Sequence, residues 1–166
     1  MSTIALYFFP VALGIAALSD LLTMKIPNKL VLLIAAGFLI VAIAFSLPLQ
    51  DLAMHILCAL IVLAAAFGLF ALRFIGGGDA KLAAATALWL GFGTTLPYVA
   101  YTALFGGILT IVILLLRGIP LHPVLARMGW LARLHNKRSG IPYGIAMAVS
   151  GIIVYQNSAI FERLSA

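Results

Sequence analysis

The chain has 166 residues, 65% of them hydrophobic and 8% charged, with a mean hydropathy of +1.24. A soluble domain carries roughly 25% charged residues, so a water-soluble globule is excluded. The net charge of +6 does not make a nucleic-acid binder, because the Lys and Arg are scattered between apolar runs and never form a run beside aromatics. The single Cys58 excludes an intrachain disulfide and a cysteine metal motif and reads as a small core or lipid-facing residue.

A crossing needs about 20 mostly apolar residues. By that measure spans fall at 4 to 22, 29 to 47, 52 to 72, 80 to 94, 97 to 116 and 141 to 157. The predicted fold is all-α, a polytopic membrane protein with about six transmembrane helices in one domain spanning 1–166. Residues 1 to 20 lack the basic start of a signal peptide, and Asp20 stands where a small-residue cleavage site would be, so this stretch is kept as the first span. The fourth span is short, and its Gly-rich start is expected at membrane depth, buried in protein or lining a watery cavity. Pro97, after Thr94 and Thr95, is expected to open the fifth helix from its first turn, leaving Gly91 to Leu96 as a connection. The long connection, 118–140, places Val124, Leu125, Met128, Leu131 and Leu134 on one arc of a helix. Arg133 and Lys137 lie opposite, with Arg127 out of pattern. That predicts a cytoplasmic loop carrying an interfacial helix on anionic lipid, with a surface for a cytoplasmic partner as the alternative.

The basic residues give an independent check, since cytoplasmic loops hold the Lys and Arg. Lys25 and Lys29 flank the first connection, Arg73 and Lys81 the third, and Arg117, Arg127, Arg133, Lys137 and Arg138 the fifth, leaving only Arg163 on the far side. Both termini are therefore expected on the non-cytoplasmic side. The same parse brings Asp20 and Asp79, two of only four acidic residues, to the cytoplasmic edge. His55, His122 and His135 fall far apart in it, so no metal site is expected.

An acid at the edge of hydrocarbon is costly and marks a functional site. Two carboxylates within a few ångströms cannot both ionise readily and titrate as a coupled pair sharing one proton. Such a pair does aspartic-protease chemistry: the ionised acid takes a proton from water and the protonated one polarises the scissile carbonyl. Gly76, Gly77 and Gly78, just before Asp79, suit this role through positive φ and close approach of a substrate backbone. The plainer readings are a helix N-cap for Asp79, and for Asp20 a residue snorkelling to the interface or paired with Lys25.

Three motifs run in order: Asp20 followed by Lys25-Ile26-Pro27-Asn28; Gly76-Gly77-Gly78-Asp79-Ala80-Lys81-Leu82; and Ser139-Gly140-Ile141-Pro142-Tyr143-Gly144-Ile145-Ala146. Together they resemble the type IV prepilin peptidases, GxGD intramembrane aspartic proteases, and the chain's size resembles the small single-domain branch serving tight-adherence (Flp) pili. The resemblance implies an integral endopeptidase of the bacterial inner membrane that removes the basic leader from prepilins and pseudopilins on the cytoplasmic side, with the lipid bilayer and the pilus assembly machinery as its other partners. It implies Asp20 and Asp79 as the catalytic pair and no cofactor. Larger members carry a zinc-holding domain with paired CxxC motifs and methylate the new N-terminus; one cysteine cannot form that domain, and methylation is not expected here. The presenilin and signal-peptide-peptidase group shares GxGD, but its Tyr-Asp and Pro-Ala-Leu motifs are not found.

The remaining motif residues carry two readings each. Pro27 and Asn28 end a turn and cap the second span, or form a rigid turn that fixes Asp20. Pro142 starts the last helix with Tyr143 as an interfacial anchor, or Tyr143 and Gly144 stand beside the cleft, Gly144 permitting close packing and the tyrosine hydroxyl orienting a carboxylate. Lys81 is a topology charge or a contact for an acidic substrate residue. Two rivals come from other classes. One is a proton- or ion-coupled transporter subunit using the aspartates as a relay, and the other a non-catalytic scaffold of a secretion apparatus.

Overall fold

A computed structural model describes residues 2–165. It is helical throughout, with no strand among the described residues. Helix α1 (Ser2–Thr23) contains Pro10 and ends at Met24, whose φ of 56° stops it. The turn behind Met24 is tied by Ser19 and Thr23, whose hydroxyls both donate to the Lys25 carbonyl. Pro27, extended at φ −63° and ψ 135°, then releases α2 (Asn28–Ala44). Pro48 opens α3 (Leu49–Ala71), and Arg73, at φ 63°, and Gly76 lead into α4 (Gly77–Arg117).

Straight, the 41 residues of α4 would measure about 60 Å, twice the hydrocarbon thickness. They do not run straight. Gly91 takes φ 65° and ψ −177°, a region essentially only glycine occupies. The second arm returns along the first. Gly151 packs against both Thr86 and Tyr98, whereas Gly106 meets Tyr143 and Arg117 bonds Gly140, toward the Asp79 end. The reversal expected over Gly91 to Leu96 is therefore confined to Gly91. Pro97 lies within the returning arm rather than opening it, because the Thr94 and Thr95 hydroxyls donate to the Leu90 and Gly91 carbonyls and satisfy backbone near the break.

Three helices are long and apolar enough to cross a bilayer: Thr3–Thr23, Leu49–Ala71 and Gly77–Arg117. The bent pair α7 (Tyr143–Tyr155) and α8 (Ala159–Ser165), meeting at 57°, makes a fourth if taken as one span. Six requires α4 to count as two arms and the 17-residue α2 to cross. Between α4 and α7, residues 118–140 form not one interfacial helix but two short ones, α5 (Pro123–Ala126) and α6 (Gly129–His135), separated at Arg127 and an extended Met128. The break falls where Arg127 interrupted the apolar arc, and it lets Leu131 and Leu134, with a partly exposed Leu125, turn toward Ile113 and Leu116 of α4 while Val124 and Met128 stay exposed.

The core is an aromatic cluster at the end away from the acids. Trp89 is wholly buried, stacks on Phe9 at 4.9 Å, meets Phe38 and Tyr155 edge-on and donates to the Ile34 carbonyl. On α3, by contrast, only His55, Cys58 and Ala66 are buried and large apolar side chains face outward. So much exposed hydrocarbon is the surface of a membrane-embedded protein.

Candidate active site

Asp20 sits one turn before the end of α1 and is 6% exposed. Its Oδ2 accepts a 2.8 Å hydrogen bond from the Gly144 amide. That amide is one of the first-turn donors of α7, which have no carbonyl partner within their own helix. Pro142, buried, holds φ −75° and ψ 81° and so aims the turn at Asp20. A Cβ on Gly144 would stand 2.9 Å from both Cβ and Oδ2 of Asp20, so only glycine fits this approach. Sequence reasoning had Gly144 permitting close packing; that it also donates to Asp20 leaves no mark in the residue letters.

Asp79 lies at the third position of α4, and its Oδ2 accepts from the Gly76 amide at 3.1 Å. It is thus not the N-cap itself but the residue that reaches back to it, since the helix begins at Gly77. Each carboxylate is held at one oxygen by a backbone amide at a helix N-terminus, where the helix dipole favours negative charge. The other oxygen of each has no protein donor among the described residues. Asp20 is not paired with Lys25; among the described residues the one ion pair is Arg163 with Asp51, at 3.3 Å near the opposite end.

Both acids line one cavity of about 790 Å³, together with Gly76 to Gly78, Tyr143 and Arg117. Met24 and Arg73, two of the three described non-glycine residues with positive φ, also line it, so backbone strain gathers at this cavity. The glycine run does not use positive φ: Gly76 is at φ −74° and Gly91 is the only described glycine with φ above zero. Its glycines serve close approach instead. A Cβ at Gly76 would come 2.9 Å from Asp79 Oδ2, one at Gly77 3.2 Å from the Phe70 ring, and one at Gly78 3.3 Å from Ile26.

Lys81, Asn28 and His55 fall outside this cavity, whereas Tyr143 lines it without reaching an acid. Lys81 donates to the Asn28 side chain at 3.0 Å, and both belong to a neighbouring apolar groove between α2, α3 and α4. Asn28 therefore does not cap α2, and Pro27 serves as its N-cap residue without a side-chain bond. The Tyr143 hydroxyl lies 3.3 Å from Thr110 Oγ1, not on a carboxylate, because its ring fills the space that Gly106 leaves in α4. Buried His55 bonds the Leu88 carbonyl beside the Gly91 break, far from either acid. Among the described residues no group of three or more His, Cys, Asp or Glu is placed to hold a metal ion.

The model of the type IV leader peptidase family matches residues 7–111. The chain belongs to that family. No curated protein and no solved structure matches it. The matched stretch holds Asp20 and the whole glycine–Asp79 motif, whereas the Gly144 amide and Arg117 lie beyond it. A leader peptidase needs an activated water and a polarised peptide carbonyl. Of the groups at this cavity, the two carboxylates with unbonded oxygens can do both. Nothing in the match supports the ion-coupled transporter.

Proposed function

We propose that this leader peptidase is an aspartic endopeptidase that cleaves the leader of type IV prepilins and pseudopilins, of the Flp kind, at the cytoplasmic face of the bacterial inner membrane. The observation that carries the proposal is the placement of Asp20 and Asp79 on one cavity, each anchored through one oxygen and open through the other. In the reaction one carboxylate, ionised, removes a proton from water as its oxygen bonds the scissile carbonyl carbon. The other, protonated, hydrogen-bonds the carbonyl oxygen. The C–N bond then breaks and the departing amine takes a proton from the acid pair, restoring the shared proton.

The cationic end of the molecule is the cavity end: Lys25, Arg73 and Arg117 all line it. Under the positive-inside rule that end is cytoplasmic, which puts both termini outside and gives six crossings when the two arms of α4 and the short α2 are counted. The substrate's apolar helix docks from the lipid side, and its scissile bond unwinds into the cavity. The test is coexpression with a candidate prepilin, following leader removal by gel shift and mass spectrometry. Asp20→Asn and Asp79→Asn at matched membrane levels should each abolish cleavage. Cleavage that survives in either variant would return the acids to capping roles in a scaffold.

A further inference from the structure

Arg117 is the last residue of α4 and is only 8% exposed. A terminal arginine ordinarily bonds the last carbonyls of its own helix or reaches to water. This one does neither. Its Nε donates to the Leu134 carbonyl and its Nη2 to the Gly140 carbonyl, both at 2.8 Å. Among the described residues it has no carboxylate partner, and a buried cation without a counter-charge is costly. What it holds is the return of the loop toward α7. Gly140 stands four residues before Gly144, and the path between them is stiff: Tyr143 N bonds the Ile141 carbonyl at 2.9 Å, and Pro142 is buried with its φ fixed. Displacement of Gly140 therefore passes to the amide that grips Asp20. Arg133 pins the other side, donating at 2.8 Å to the carbonyl of Leu22, two residues beyond Asp20.

We propose that Arg117 is a positioning residue for Asp20, acting through Gly140 on the Gly144 amide. The proposal rests on Asp20 being half of the catalytic pair. It is tested on the full-length protein in nanodiscs, with purified prepilin as substrate, using Arg117→Gln, Arg117→Lys and Asp20→Asn, and protein labelled with ¹⁵N-glycine. The expected result for Arg117→Gln is a fall in kcat of about tenfold to a hundredfold, the cost of a misplaced reacting group, with KM within about twofold. The Gly144 amide resonance should move in the same direction as in Asp20→Asn, and Arg117→Lys, which can keep one bond, should recover part of both. The proposal is overturned by a kcat within about twofold of wild type, or by a reduced kcat with the Gly144 resonance unmoved. Should Arg117→Gln fail to accumulate, Arg117→Lys decides by the same two readouts. Full cleavage by Asp20→Asn would instead sink the aspartic reading, while the Gly144 resonance would still report whether Arg117 sets that amide.

Discussion

Substituting Gly144 by Ala adds one methyl group, and the structure says where it goes. The new Cβ would lie 2.9 Å from Asp20 Cβ and Oδ2 and 3.2 Å from Cγ. Carbon atoms rest at about 3.5–4.0 Å, so α7 or the Asp20 side chain must give way by roughly 0.6 to 1.1 Å. The Asp20 Cβ is fixed by the α1 backbone and has no rotamer into which it can escape, and the side chain itself is buried. Such a shift also stretches the 2.8 Å amide bond to the carboxylate, a class of bond worth about 1.5–3 kcal/mol. Either effect lowers kcat by about tenfold to a hundredfold. The assay is leader removal at matched membrane levels, with Gly14→Ala as control. Gly14 lies on the same helix as Asp20 with nothing within 4 Å of its would-be Cβ, so that variant should cleave normally. Wild-type cleavage by Gly144→Ala would refute the idea that the α7 amide must seat on Asp20.

Gly91→Ala forces a side chain into φ 65°, ψ −177° and sets its Cβ 2.9 Å from the His55 ring; a stability loss of about 1–3 kcal/mol or more should follow in thermal unfolding, and an unchanged midpoint would mean the break is not held by glycine. The buried hydroxyls of Thr86 and Thr102 lie beside that of Tyr98, yet among the described residues none of the three closes a well-formed hydrogen bond, so Thr86→Val should change stability by no more than about 1 kcal/mol, and clear destabilisation would reveal a bond at that oxygen. Because the Tyr143 hydroxyl meets Thr110 rather than an acid, Tyr143→Phe should cost about 0.5–1.5 kcal/mol of stability, with any drop in turnover far smaller than in Asp20→Asn; a comparable drop would place that hydroxyl in the chemistry. Arg163→Ala removes an ion pair whose side chains are 42% and 49% exposed and should shift stability by less than about 1 kcal/mol.

The acids were legible because charge is scarce in an apolar chain, so each exception to hydrophobicity stands out and must be justified by its surroundings. The helices were legible for the same reason, since long apolar runs have few other uses. What failed was finer. Pro97 looked like the start of a helix, but a proline tells only that one amide is missing, and threonine hydroxyls near the turn allowed the chain to reverse earlier, at Gly91. The glycines before Asp79 signalled that a side chain was excluded without saying whether conformation or proximity excluded it; here it is proximity. Arg117 read as one more topology charge, because no spacing rule shows which distant carbonyls a guanidinium will reach. The amide of Gly144 was hidden altogether, being backbone.

The contact between Asp20 and Gly144 joins residues 124 positions apart. Ribosomes add roughly 5–20 residues per second, so the carboxylate is made roughly 6 to 25 s before the amide that will hold it. Asp79 and its own amide partner, three residues apart, are complete almost at once. A nascent chain thus carries one finished acid and one unfinished one until α7 arrives, and a truncated product that reaches the membrane is left without the amide that holds Asp20.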